Sequence, residues 1–447
     1  MKKNILYIVW IAVYLALCLA LSAGMLFAGP SAAGANENLA EKPVLRDEEG
    51  VWNTDYLADW AAYFRDRFFL RQELISLDHL LSAKLFGVSG DDSVLLGKNG
   101  WLYYAETLDG YTGANPMTNR EIYAAAYNLK LMSEYCRENG KQFLFVIAPN
   151  KNSLYPEHMK DYGVRAEVSD AKRLMEQLSQ LGVPTADLFT AIAEADEQLY
   201  FAHDSHWNTK GAALGADVIN AGFGIESNYY GGDFSQTQPN QGDLYAMLYP
   251  ALTDPEEDFL YGGQLNFAFT TSATRPDAIV LRTESSCEGS LLAYRDSFGN
   301  LLFPFLADSY GSAQFSRSTT YDLTKEADYV LIELVERNLG YLTQNLPVMP
   351  AMEMTIGVPE KVNGSITVTA SMRGDFLQVK GQLPVDQPEG PVFVVCDTPC
   401  GNTAYAAFYL SENGFGLNLP GELTPLYAVC IDETGESVAC YQIEIQE

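Results

Sequence analysis

Apolar residues recur at three- and four-residue intervals between Asp55 and Leu85, at Trp60, Phe64, Phe68, Leu74, Leu77, Leu81 and Leu85. That spacing predicts helix with one apolar face. Two short runs follow, Val94–Leu96 and Trp101–Tyr104, about a Lys98-Asn99-Gly100 turn, and read as paired strands. Beyond them the period alternates. Helical spacing over Glu121–Glu138 precedes the unbroken apolar run Phe143–Ala148, the pattern of a strand buried on both faces. A helix over Ala171–Gln180 precedes a strand over Val183–Leu188, and Thr209–Phe223 is helical again. Further strands are predicted at Ala278–Arg282, Ser290–Arg295 and Tyr329–Glu333, with a helix at Leu301–Ala307. The fold class expected is α/β: a mainly parallel sheet flanked by helices, with functional groups at the carboxyl ends of its strands.

The two ends of the chain depart from this pattern. Lys2 and Lys3 precede an uncharged, mostly apolar run from Asn4 to about Gly29, close to the ~20 residues that cross a bilayer. Lysines at the start of such a span stay inside, so the body is expected outside as a single-pass protein. The small residues Ser31-Ala32-Ala33-Gly34-Ala35 also suit a signal peptidase, and cleavage there would make the protein secreted. After Met352 helical spacing stops. Short Val-, Ile-, Thr- and Phe-rich segments (Ser365–Ala370, Phe376–Val379, Val392–Val395, Leu426–Ile431) are separated by Gly, Pro and Asn, as in a β-sandwich. The expected organisation is a transmembrane helix or signal peptide over 1–30, a stalk over 31–50, the α/β domain over 51–350 and a β-sandwich over 351–447.

The formal charge of −30 opposes nucleic acid as a partner, because its phosphates would repel the chain. It also makes a neutral polymer a more natural substrate than an acidic one unless the cleft is locally basic. Four of the seven cysteines, Cys396, Cys400, Cys430 and Cys440, fall near the C-terminus. Export permits disulfides, and Cys430 and Cys440 flank a Glu433-Thr434-Gly435-Glu436 turn across which they could face each other. Buried thiols are the alternative.

Candidate chemistry is concentrated in two places. His203-Asp204-Ser205-His206-Trp207 holds two of only four histidines. In extended backbone, side chains two apart share a side, so Asp204 can face His206 and fix its tautomer. Leu291–Arg295 reads as a strand running into Asp296-Ser297-Phe298-Gly299, which places Ser297 at a strand-to-helix turn. Ser297 as nucleophile, His206 as base and Asp204 as its orienter would form a catalytic triad, with Gly299 letting backbone approach a substrate. Simpler roles compete: Asp296 or Ser297 as an N-cap, Asp204 and His206 as a surface pair, or His203, Asp204 and His206 as metal donors. The reading adopted calls for no cofactor and no metal.

Together these residues give a resemblance to the DHHW family, related to the AlgX and AlgJ alginate O-acetylation proteins with an SGNH hydrolase-like domain. Gly97–Leu102, Ala148-Pro149-Asn150-Lys151, Gly242-Asp243-Leu244 and Glu336-Arg337-Asn338-Leu339 fit the same pattern, and Ser205 departs from the second histidine of the family's name-motif. The resemblance implies a catalytic domain that moves an acetyl group through an acyl-serine onto an exported polysaccharide. It further implies a donor supplied by a membrane-bound O-acyltransferase and a C-terminal carbohydrate-binding module. A carbohydrate esterase with the same triad and a non-catalytic glycan-binding scaffold are the alternatives. Asn150 and Lys151 are expected to touch an oxyanion or a sugar hydroxyl, Trp207 to pack behind the histidine, and Arg337 to pair with Glu333 or Glu336.

Overall fold

The computed structural model describes residues 2–29, 31–34, 37–356, 361–384, 390–399, 401–411, 413–421, 423–432 and 436–446, with positions 2–4 and 6 as backbone only. The N-terminal run is one helix, Lys2–Phe27, and its Tyr7–Phe27 portion is long and apolar enough to cross a bilayer. The predicted helix over Asp55–Leu85 is broken into Tyr56–Arg67 and Arg71–Leu81, followed by a π-turn at Ser82–Phe86. The break falls at Leu70, whose φ of 61° an L-residue cannot hold inside a helix. Strands β1 (Val94–Leu96) and β2 (Leu102–Tyr104) form the expected antiparallel pair.

The central sheet contains β3 (Gln142–Ala148), β4 (Thr185–Ala186), β7 (Phe267–Phe269), β8 (Val280–Ser285), β9 (Ser290–Tyr294), β10 (Ser312–Ser316) and β11 (Tyr329–Val335), in the order β4-β3-β11-β9-β10-β8-β7. Strands β5 (Gln236–Asn240) and β6 (Glu256–Leu260) pair separately. The sheet is mixed, with parallel pairing through its core and antiparallel pairing at one edge. Pairings from β4 to β10 are parallel, but β8 and β7 run antiparallel at the edge. The reason is connection length. Only residues 286–289 join β8 to β9, far fewer than the dozen or so that a parallel crossover needs, so the chain must reverse. The strand expected over Val183–Leu188 shrinks to Thr185–Ala186, because Asp187 caps a helix at Leu188–Ala193 by accepting the Thr190 N–H.

Period-two alternation assigns the sheet's two faces. Phe143, Phe145 and Ile147 meet helices Asn119–Glu138 and Asp170–Leu181. Leu144, Val146 and Ala148 meet helices Leu188–Ala193, Thr209–Gly222 and Gly299–Ser309. Both faces of the sheet are thus covered, as its nearly all-apolar strands require.

The C-terminal strands form one nine-stranded sheet, antiparallel except where Gly364–Arg373 runs beside Ser437–Gln446. Strand Gly401–Ala406 lies second from one edge and Phe408–Tyr409 forms the other edge, although only Ala407 separates them in the chain. The sheet must therefore roll until its edges approach, which gives a half-barrel instead of two separate layers. Cys430 pairs with Ala439 and Cys440 with Val429, so the two thiols point to opposite faces and do not meet. Cys396, Cys430 and Cys440 are buried free thiols, whereas Cys400 and the 433–435 turn lie outside the described residues.

Candidate active site

Three parallel strands end side by side, β3, β11 and β9, and the residues just beyond them converge. Ser297 follows β9 at the turn into helix Gly299–Ser309. Asp296 fastens that turn. Its Oδ1 accepts the Phe298 N–H (2.9 Å), and its Oδ2 accepts the Val335 N–H and Asn338 Nδ2 (2.8 Å each). Asp296 is not the N-cap of helix Gly299–Ser309, a position held by Phe298; it ties the serine turn to the end of β11. Below it Glu333, fully buried on β11, accepts the Asp296 N–H at 3.3 Å. Burial and the neighbouring Asp296 push the Glu333 carboxyl well above its ordinary range.

Asp204 and His206 sit on an irregular loop closed by the Tyr200–Trp207 bridge, not on extended backbone. They come together because Asp204 Oδ1 accepts the backbone N–H of His206 (3.0 Å) as well as ring Nδ1 (2.7 Å), an Asx-type turn. The other ring nitrogen, Nε2, lies 2.9 Å from Ser297 Oγ. Trp207 is buried beneath, and its indole donates to the Phe298 carbonyl (3.1 Å), so the histidine loop and serine turn are bonded directly.

A second carboxylate stands on the same imidazole. Asp243 Oδ2 is 3.5 Å from His206 Nδ1, and its two oxygens accept Ser205 N–H (2.7 Å) and Oγ–H (2.6 Å). The Asp243 N–H donates to Asp204 Oδ2 (2.9 Å). Gly242 precedes it with φ of 75° and its Cα against the His203 carbonyl, a position a side chain would obstruct. Burial opposes charge on His206, but the bond and charge of Asp204, with the charge of Asp243, raise its pKa above the ordinary histidine value. Asp204, despite burial, is held below the usual carboxylate range by His206 and by two backbone N–H donors. Burial and the nearby Asp204 charge push Asp243 upward. Asp204, His206 and Asp243 bring donor atoms within 4.8 Å of one another, but the hydrogen bonds above already engage them. The third metal donor considered, His203, turns outward to the Asp254 carbonyl (3.2 Å).

The remaining candidates separate. Lys151 is buried and spends its ammonium on three carbonyls of the histidine loop: Phe201 and Ala202 (3.0 Å each) and Asp204 (2.6 Å). It holds the loop and is not aimed at a substrate, which corrects that expectation; burial brings its pKa down to about 8. Gly299 also has a steric reason to be glycine, since a Cβ there would run into the Arg295 side chain. Asn150 fits better. Its N–H donates to Glu336 (3.1 Å), while its buried Oδ1 has no partner among the described residues. It lines a cavity of about 270 Å³ with Glu336 and Arg337. Arg337 makes no ion pair with Glu333 or Glu336; its guanidinium lies over the rings of Tyr104 (5.3 Å) and Phe298 (5.6 Å). Among the described residues the backbone N–H groups of Ser297 and Gly299 have no protein acceptor. The sequence did not single out Asp243 or Asp296 for these positions, although both stand in segments it marked.

Residues 94–254 match the family described as SGNH hydrolase-like domain, acetyltransferase AlgX, a span that holds Asp204, His206 and Asp243 but ends before Ser297. The chain is related to the AlgX and AlgJ proteins. It is 28% identical over 213 residues to the probable alginate O-acetylase AlgJ of Pseudomonas syringae pv. tomato, covering 45% of this chain and 52% of that protein. The corresponding protein of Pseudomonas fluorescens is 25% identical over 260 residues, covering 54% and 60%. The chain thus spans little more than half the length of the curated relatives it matches. Among solved structures, the O-acetyltransferase domain of Pseudomonas putida AlgJ aligns with a TM-score of 0.39 at 18% identity, over 55% of this chain and 92% of that one. A DHHW family protein from Eubacterium siraeum aligns with a TM-score of 0.39 at 17% identity, over 55% and 94%.

Proposed function

We propose that this protein is an extracytoplasmic O-acetyltransferase acting on an exported polysaccharide through an acyl-serine. The observation that carries the reading is His206, which bridges Asp204 at 2.7 Å and Ser297 at 2.9 Å across 91 residues of sequence. In the first step Ser297 Oγ bonds to the acyl carbon while His206 Nε2 takes the hydroxyl proton and passes it to the donor's leaving oxygen. In the second, a glycan hydroxyl attacks the acyl-serine. His206 takes that proton and returns it to Ser297 as the ester is released. Asp204 stabilises the imidazolium in both steps. The N–H groups of Ser297 and Gly299 are the candidate donors to the oxyanion, and Asn150 Oδ1 is a candidate acceptor for a sugar hydroxyl.

The N-terminal helix serves as the membrane anchor in this reading, with the body outside. The donor is then an acyl group delivered by a membrane-bound O-acyltransferase, and the half-barrel over 351–447 serves as a glycan-binding module. Names of the relatives support a polysaccharide acceptor. The test is intact-mass labelling of the full chain with a fluorophosphonate beside Ser297→Ala and His206→Ala. One adduct on wild type, mapped to Ser297 and missing from both variants, is expected. An adduct indifferent to His206, or none, would favour a glycan-binding scaffold. If labelling succeeds but acetyl groups pass to water even with glycan present, the protein is an esterase.

A further inference from the structure

Helix Arg71–Leu81 and the turn that follows carry an exposed row of leucines. Leu70, Leu74, Leu77, Leu81 and Leu85 recur every three or four residues, and each is at least 40% exposed, Leu77 at 51% and Leu85 at 68%. Phe86 and Val88 extend the row. Three polar residues of the same helix face the protein, while Glu73 and Asp78 stay exposed beside the stripe. Gln72 is buried on the Ala32 carbonyl and Glu37, Ser76 accepts the Ala251 N–H, and His79 Nδ1 lies 2.7 Å from the Leu248 carbonyl. An apolar stripe of this length, outward on a chain with a charge of −30, needs a partner that is not water.

Its position identifies that partner. Gly24, in the last turns of the apolar helix, lies against the Phe69 ring, where a Cβ would clash. The Ser31 N–H donates to the Arg67 carbonyl (3.0 Å), and Arg71 forms a two-pronged bond with Glu37 (3.0 and 2.9 Å). The stripe therefore begins where the chain leaves the bilayer. The cluster of Tyr56, Trp60 and Tyr63 on the preceding helix supplies the aromatic rings that favour the headgroup level.

We infer that Leu70, Leu74, Leu77, Leu81 and Leu85 lie in the lipid of the outer leaflet as an interfacial helix, which holds the body flat on the membrane. The buried side of this helix packs on Leu248 and Ala251 at the end of helix Asp243–Leu248, whose first residue contacts His206. The site would thus stand one helix away from lipid, suited to a donor that arrives through the membrane. The inference takes its place at the bilayer from the anchor reading, so the two need separate readouts.

Full-length protein in membranes, carrying a benzophenone amino acid at Leu77 or at Leu81, would be irradiated and analysed by mass. Leu15 in the apolar helix reports on the anchor, and Ile279, exposed on the body, is the background position. Phospholipid adducts at Leu77 and Leu81 at about ten times the Ile279 yield are expected. A crosslink to another protein or to a second copy, or no lipid adduct while Leu15 gives one, overturns the interfacial helix. Lipid adducts missing at Leu15 overturn the anchor.

Discussion

Asp243 bears on how the histidine titrates. It stands 3.5 Å from Nδ1, on the side of the ring already engaged by Asp204, with Arg337 the opposing charge. Removing its charge while keeping its shape should lower the pKa of His206. A base must be neutral to work, so the acid limb of the fluorophosphonate labelling rate should move to lower pH in Asp243→Asn, with Ser297 still the labelled residue. The stability sign agrees. His206 is raised in the folded state, so its contribution is complete below ~6.5 and is lost as pH rises through the folded value. An unmoved acid limb would reduce Asp243 to a clasp for Ser205. Lys151 tests the loop itself. Lys151→Met keeps the stem but orphans three carbonyls, and should cost about 2 kcal/mol in urea unfolding and slow the labelling of Ser297.

At the level of elements, helix Asn119–Glu138 joins the central sheet to the half-barrel. Asn128 within it is fully buried, and its amide donates to the Leu342 and Tyr409 carbonyls (2.9 and 2.8 Å) and accepts the Tyr409 N–H (2.8 Å). Asn128→Leu would leave three backbone groups without partners, so a loss of about 3 kcal/mol is expected in chemical denaturation. Nothing in helical periodicity marks this residue, because its partners are 214 and 281 positions away. The same distinction runs through the fold. Phe143–Ala148 was legible as a buried strand because burial on both faces leaves an unbroken apolar run, and Tyr329–Glu333 was legible as a strand that the fold extends to Val335. Antiparallel β7 and β8 were not, since direction depends on a connection length that periodicity does not encode. In the site, Asp204, His206 and Ser297 could be picked out by residue type and spacing. Lys151, by contrast, sits at the end of a strand where lysine reads as exposed, and only the folded loop reveals three carbonyls around its ammonium.

On the scale of the whole molecule, 58 acidic residues oppose 28 basic ones. Many of the ion pairs that form are short-range and exposed, such as Arg65–Asp66 and Arg275–Asp277, and pairs of this kind contribute little. The folded body therefore carries uncompensated repulsion that unfolding relieves by spreading the charge. Salt shortens its reach from ~30 Å at 0.01 M to ~8 Å at 0.15 M. Heating the full chain in a non-ionic detergent should show a melting temperature that rises between those two concentrations, by about 5 °C. The site's own electrostatics should respond differently. His206, Asp204 and Asp243 interact over 2.7 to 3.5 Å in half-buried surroundings, inside any of these screening lengths. The acid limb of Ser297 labelling should accordingly stay nearly fixed over the same salt range while the melting temperature moves. A limb that shifts in parallel with stability would mean that the net charge, and not the two carboxylates beside the ring, governs the histidine.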